Sequence, residues 1–143
     1  MITIAKRFTF DAAHFLPCMP ELHKCRGMHG HTYEVEIQLQ GDPDANGILV
    51  DYDDIAKAWG PIHARIDHKV LNEVPGLKMP STEVLAMWLF DRFRQEPFGH
   101  LLSKIRVAES STTWAQVSAW SYAAYRGSPP WTALLGEGHV AKE

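Results

Sequence analysis

Residues 31–40 read His31-Thr32-Tyr33-Glu34-Val35-Glu36-Ile37-Gln38-Leu39-Gln40. Tyr33, Val35, Ile37 and Leu39 take one parity, and Thr32, Glu34, Glu36, Gln38 and Gln40 take the other. That alternation predicts a half-buried β-strand with one face on a core. Residues 2–10 (ITIAKRFTF) also read as a strand, and Phe8, Phe10, Ala12 and His14 share a parity if it continues. Gly41-Asp42-Pro43-Asp44-Ala45-Asn46-Gly47 is turn chemistry, after which Ile48-Leu49-Val50 predicts a short strand.

Asp51 then suits the N-cap of a helix with the apolar stripe Ile55, Trp59, Ile62 and Ile66. Gly60-Pro61 falls inside that stripe and predicts a kink or a break. A loop runs from Asp67 to Pro80. Ser81 opens a second helix that places Val84, Leu85, Trp88, Leu89 and Phe93 on one face. Residues 103–109 (SKIRVAE) return to strand, and 112–118 (TTWAQVS) offer its hairpin partner. The order ββααββ predicts an α+β fold: a four-stranded antiparallel sheet with two helices on one face. We expect one domain over 1–118 and an extension over 119–143, an aromatic tail with Pro and Gly to which the pattern assigns no role.

The composition supports a single globular unit. The chain has 143 residues, 45% of them hydrophobic and 22% charged, enough for a core without disulfides. The net charge of −3 argues against nucleic acid or an anionic membrane as partner. No apolar run reaches the length of a membrane span, and residues 1–10 lack the apolar block of a secretory signal. The two cysteines, Cys18 and Cys25, are therefore expected to be reduced thiols in the cytoplasm. Histidine is over-represented, at eight residues.

His29-Gly30-His31 leads into the second strand. Residues two apart on a strand share a face, so both imidazoles can reach one ion. His14 is in phase on the neighbouring strand. Three neutral imidazoles on one sheet face make a zinc site with an open fourth position. The competing reading is three ordinary polar residues at strand ends. Cys25 lies between Lys24 and Arg26, whose charges favour the thiolate. It is a fourth ligand that closes a structural site, a base or nucleophile beside an open metal, or a free surface thiol. Asp67-His68 pairs a carboxylate with an imidazole, a weak signal whose alternative is a solvated helix end. Glu109 continues the parity of Ile105 and Val107 with no arginine on that parity. It either reaches solvent or meets a ligand with two parallel N–H donors.

Together, Phe10-Asp11-Ala12-Ala13-His14, Cys25-x3-His29-Gly30-His31, Asp67-His68, Pro80-Ser81-Thr82-Glu83 and Glu109 resemble the 6-pyruvoyl-tetrahydropterin synthase family, over about residues 3–117. The short gap from Cys25 to His29 is similar to the 6-carboxy-tetrahydropterin synthase branch, which serves queuosine biosynthesis. The resemblance implies a tunnelling-fold subunit in a homo-oligomer, typically a hexamer, with active sites between subunits. It implies zinc on His14, His29 and His31, Cys25 as proton acceptor, and Asp67 with His68 as a proton relay. It assigns Glu109 to the pterin edge and Thr82 to holding the ring. The implied substrate is 7,8-dihydroneopterin triphosphate, converted by a zinc-dependent lyase to 6-carboxy-tetrahydropterin with loss of triphosphate and acetaldehyde. Alternatives are triphosphate elimination alone, as in 6-pyruvoyl-tetrahydropterin synthase, or a non-catalytic protein with a structural zinc. The extension beyond Ser118 departs from the family pattern.

Overall fold

A computed structural model describes residues 1–129 and 131–135. Its elements are β1 (Ile2–His14), β2 (His29–Gly41), α1 (Tyr52–Ile66), α2 (Thr82–Phe93), β3 (Leu102–Ala108), β4 (Trp114–Ser118), α3 (Ala119–Tyr125) and α4 (Trp131–Leu135). The four strands form one antiparallel sheet in the order β1-β2-β3-β4, the expected ββααββ arrangement.

Alternation sets the two faces of this sheet. Tyr33, Val35, Ile37 and Leu39 are fully buried, as are Ile105 and Val107 of β3. Each such apolar side chain contributes about 1.5–3 kcal/mol relative to exposure. α1 packs on β1 through Trp59, whose ring stacks on Phe8 at 4.8 Å between centroids. α2 is buried along most of its length and lies over β3 and β4. The opposite sheet face is polar: Arg7 Nε donates to Glu36 at 2.7 Å, and Arg106 donates to Gln116.

Four expectations change. β1 and β2 run further toward each other than their alternation alone suggested, because the long antiparallel register continues to the pair His14–His29. Ile48–Val50 is not a strand: Asp44 Oδ1 accepts the N–H groups of Asn46 and Ile48 and folds the segment into a turn. α1 passes through Pro61 without division. Pro61 and Lys57 lie on the exposed side, where water can take the carbonyl that proline leaves without a donor. Beyond Ser118 the described residues form two short helices, α3 and α4. Ser118 and Ser121 form a reciprocal cap that starts α3, and Tyr122 and Leu135 join the same core.

Candidate active site

The register of β1 on β2 builds the site. His14 pairs with His29, and His31 lies two residues further along the same face, opposite Ala12. The three rings meet edge to face, with centroids 4.6, 5.1 and 4.9 Å apart. His14 is buried, and the other two are half-buried.

Backbone carbonyls orient two of the rings. Nδ1 of His14 lies 2.8 Å from the Pro80 carbonyl oxygen, and Nδ1 of His29 lies 2.7 Å from that of Gly27. A carbonyl only accepts, so both Nδ1 atoms carry the proton, and each Nε2 presents a lone pair. Those two Nε2 atoms stand 3.0 Å apart. Nε2 of His31 is buried without a hydrogen-bond partner among the described residues. One coordinating nitrogen of each ring lies within 4.8 Å of the others, so the group can hold a metal ion. The donor set fits zinc: imidazole nitrogens are borderline-soft ligands, and carbonyl-anchored rings are the usual support for them. Burial lowers the pKa of His14, chiefly by desolvation, against the opposing pull of the Pro80 carbonyl. A neutral imidazole is the form that coordinates.

A cavity of about 460 Å³ opens over the triad, and Cys25, Lys24 and Glu109 line it with the three histidines. Cys25 lies in a short turn, Lys24–Arg26, whose backbone is held by His23: Cys25 N–H donates to His23 Nδ1 at 3.0 Å. Glu109 follows the last residue of β3, and its Oε2 comes within 3.7 Å of His31 Nε2. The parity argument for Glu109 thus leads to the cavity.

Asp67, His68 and Thr82 do not line this cavity within one chain. Asp67 caps the C-terminus of α1 and accepts the Asp11 N–H at 3.0 Å. His68 has a left-handed backbone, φ 55°, and its side chain is 77% exposed. It opens on a second depression with Asp11, Lys69 and Val70, which His31 of the triad also lines. Thr82 begins α2, with its hydroxyl 3.4 Å from Glu83.

Three site features escaped the sequence reading. The Pro80 carbonyl is a backbone group and leaves no side-chain signal. Ser110, Thr112 and Thr113 line the cavity as a hydroxyl turn closed on Ser110 Oγ. Tyr33 borders the triad, with ring centroids 5.5 Å from His31 and 6.0 Å from His14. Its shared parity with His31 was the available clue. Burial keeps its phenol protonated, with its acidity pushed well outside the usual range.

Residues 3–119 match the family described as 6-pyruvoyl tetrahydropterin synthase. The chain belongs to that family. A Synechocystis relative, 6-carboxy-5,6,7,8-tetrahydropterin synthase, is 30% identical over 122 residues, with 81% of this chain and 92% of that protein covered. Dihydroneopterin monophosphate aldolase of Pyrococcus furiosus is 29% identical over 92 residues, covering 64% of this chain and 75% of the aldolase. The Caenorhabditis elegans 6-pyruvoyl tetrahydropterin synthase structure shares the fold, with a TM-score of 0.76 at 22% identity. The match covers 82% of this chain and 94% of that one. α4 and most of α3 lie beyond the family match. No helix among the described residues is long and apolar enough to cross a membrane.

Proposed function

We propose that this pterin-family enzyme is a 6-carboxy-5,6,7,8-tetrahydropterin synthase. With one water consumed in the carbon–carbon cleavage, it would convert 7,8-dihydroneopterin triphosphate to 6-carboxy-tetrahydropterin, releasing triphosphate and acetaldehyde. The observation that carries the reading is the one cavity shared by His14, His29, His31, Cys25 and Glu109. The choice of product rests on the names of relatives that match most of the chain.

His14, His29 and His31 would hold zinc through Nε2. When bound, zinc would acidify the side-chain hydroxyls of the substrate and polarise a developing carbonyl. Glu109 would accept two parallel N–H bonds from the guanidine-like edge of the pterin, which fixes the ring over the triad. Cys25, between Lys24 and Arg26, would take a proton as thiolate. Asp67 and His68 would pass protons onward. They do not line the cavity within one chain, although His68 shares a second depression with His31; with active sites between subunits they would serve the pocket of another copy, and Thr82 would hold the ring. We propose a cytoplasmic homo-hexamer in which the edge strands β1 and β4 meet neighbouring copies. The synthase domain would span 1–118, with 119–143 as its extension; residues 130 and 136–143 lie outside the described residues.

Product analysis tests the reading. Incubation of the zinc-loaded protein with dihydroneopterin triphosphate should give acetaldehyde and a 6-carboxy-tetrahydropterin mass. A 6-pyruvoyl product without acetaldehyde would assign triphosphate elimination alone. No turnover, with Cys25 among the zinc ligands, would leave a structural zinc protein.

A further inference from the structure

The proton-carrying pair of the proposed reaction has a third neighbour. Asp67 holds its backbone through its N–H, which donates to the His63 carbonyl at 2.8 Å, one helical turn earlier. Oδ1 of its carboxylate is taken by the Asp11 N–H. Oδ2 faces two imidazoles: Nε2 of His63 at 3.4 Å and Nε2 of His68 at 3.7 Å. The His63 ring rests against the Trp59 indole, 5.7 Å between centroids, and its side chain is 39% exposed. That contact restricts the ring to the side of α1 that meets the carboxylate. The His68 side chain has no such ring contact among the described residues and is 77% exposed.

We infer that His63 is a positioning residue, which shares Oδ2 of Asp67 with His68 and so governs how the Asp67–His68 pair holds its proton. The inference rests on the reading of Asp67 and His68 as a relay. Its physical content is a competition. One carboxylate oxygen stabilises one imidazolium well and two poorly, because two cations on either side of it repel each other. When His63 carries a proton, it takes the charge of Asp67, and His68 gives up its own proton more readily. When His63 is neutral with Nε2–H donating, the carboxylate stays oriented and its charge is available to His68. Among the described residues, Asp11 on β1 also faces this carboxylate: its carboxylate oxygen lies within 4.8 Å of the ligand atoms of Asp67 and His68.

Two variants separate positioning from charge. H63Q keeps an amide N–H near the Nε2 position and cannot be protonated; H63F removes both. Titration of the His68 ring by NMR in the full-length, zinc-loaded protein should show its pKa rising in H63Q, on the order of half a pH unit. The acid limb of kcat/KM on dihydroneopterin triphosphate should move the same way. kcat should fall by about ten-fold in H63F, through loss of the carboxylate orientation, and recover most of that in H63Q. An unmoved His68 titration in H63Q overturns the inference, whatever the activity. A shifted titration together with full turnover in His68→Ala upholds the coupling and rejects the relay reading instead.

Discussion

The carbonyl oxygen of Pro80 lies 2.8 Å from Nδ1 of His14, across a sequence separation of 66 residues. The segment that opens α2 therefore fixes which nitrogen of a β1 histidine faces the cavity. Because the anchor is a backbone group, the lone pair of His14 is oriented without any second side chain.

We expect one zinc per subunit. His29→Ala and His31→Ala should each lose most of the bound metal, measured by elemental analysis of purified protein, and with it the activity. Outer-shell support alone is worth about 10–100-fold in affinity, so losing a ligand should exceed that. Stoichiometric zinc in both variants would refute the assignment.

Cys25→Ala should retain zinc and lose turnover by about 10²–10⁴-fold, the usual worth of a positioned acid or base. The cysteine lines the cavity without belonging to the histidine group. A variant that purifies metal-free would make Cys25 a ligand.

Glu109→Gln replaces one acceptor oxygen with an NH2 group that would oppose a ring N–H. Loss of a charge-assisted bidentate contact should cost about 2–4 kcal/mol, roughly 30- to 1000-fold in kcat/KM. Zinc content should stay constant, although the carboxylate comes within 3.7 Å of His31. Near-normal kinetics would mean that it does not touch substrate.

On the polar sheet face, the Gln38 amide and then Arg7 hold the Glu36 carboxyl below its usual value of 4.5. A folded value below the unfolded one adds stability above the unfolded pKa and loses it as pH falls through the folded one. Glu36→Gln should remove that acid-side loss, on the order of 0.5 kcal/mol, in denaturation midpoints compared at neutral and acidic pH. An identical pH dependence in both proteins would contradict the pairing.

Tyr122 donates to the buried Asp91 carboxylate at 2.6 Å and stacks on Phe90. Burial, with Asp91 next, pushes its phenol up to about 12. Tyr122→Phe should lower unfolding stability by about 1–3 kcal/mol in chemical denaturation. A chain ended at Ser118 should lose more, since the aromatic face of α2 would be uncovered; equal stability would show the extension to be energetically idle.

Alternation in residues 31–40, the apolar stripe of α1 and the cap at Ser81 were legible because each is local and repeats with the period of its element. The same periodicity placed His14, His29 and His31 on one face, and Glu109 at the end of a core-facing series. What only the tertiary structure decided is long-range. Register pairs His14 with His29, since hydrogen bonding between two distant strands sets it. The Pro80 carbonyl chooses a tautomer through an atom that every residue possesses. Pro61 sits harmlessly in α1 because its side of the helix faces water. The stretch after Ser118 carried no readable pattern, and its described part is held by packing: Tyr122 reaches Asp91 and Leu135 enters the core only because α2 offers them a finished surface.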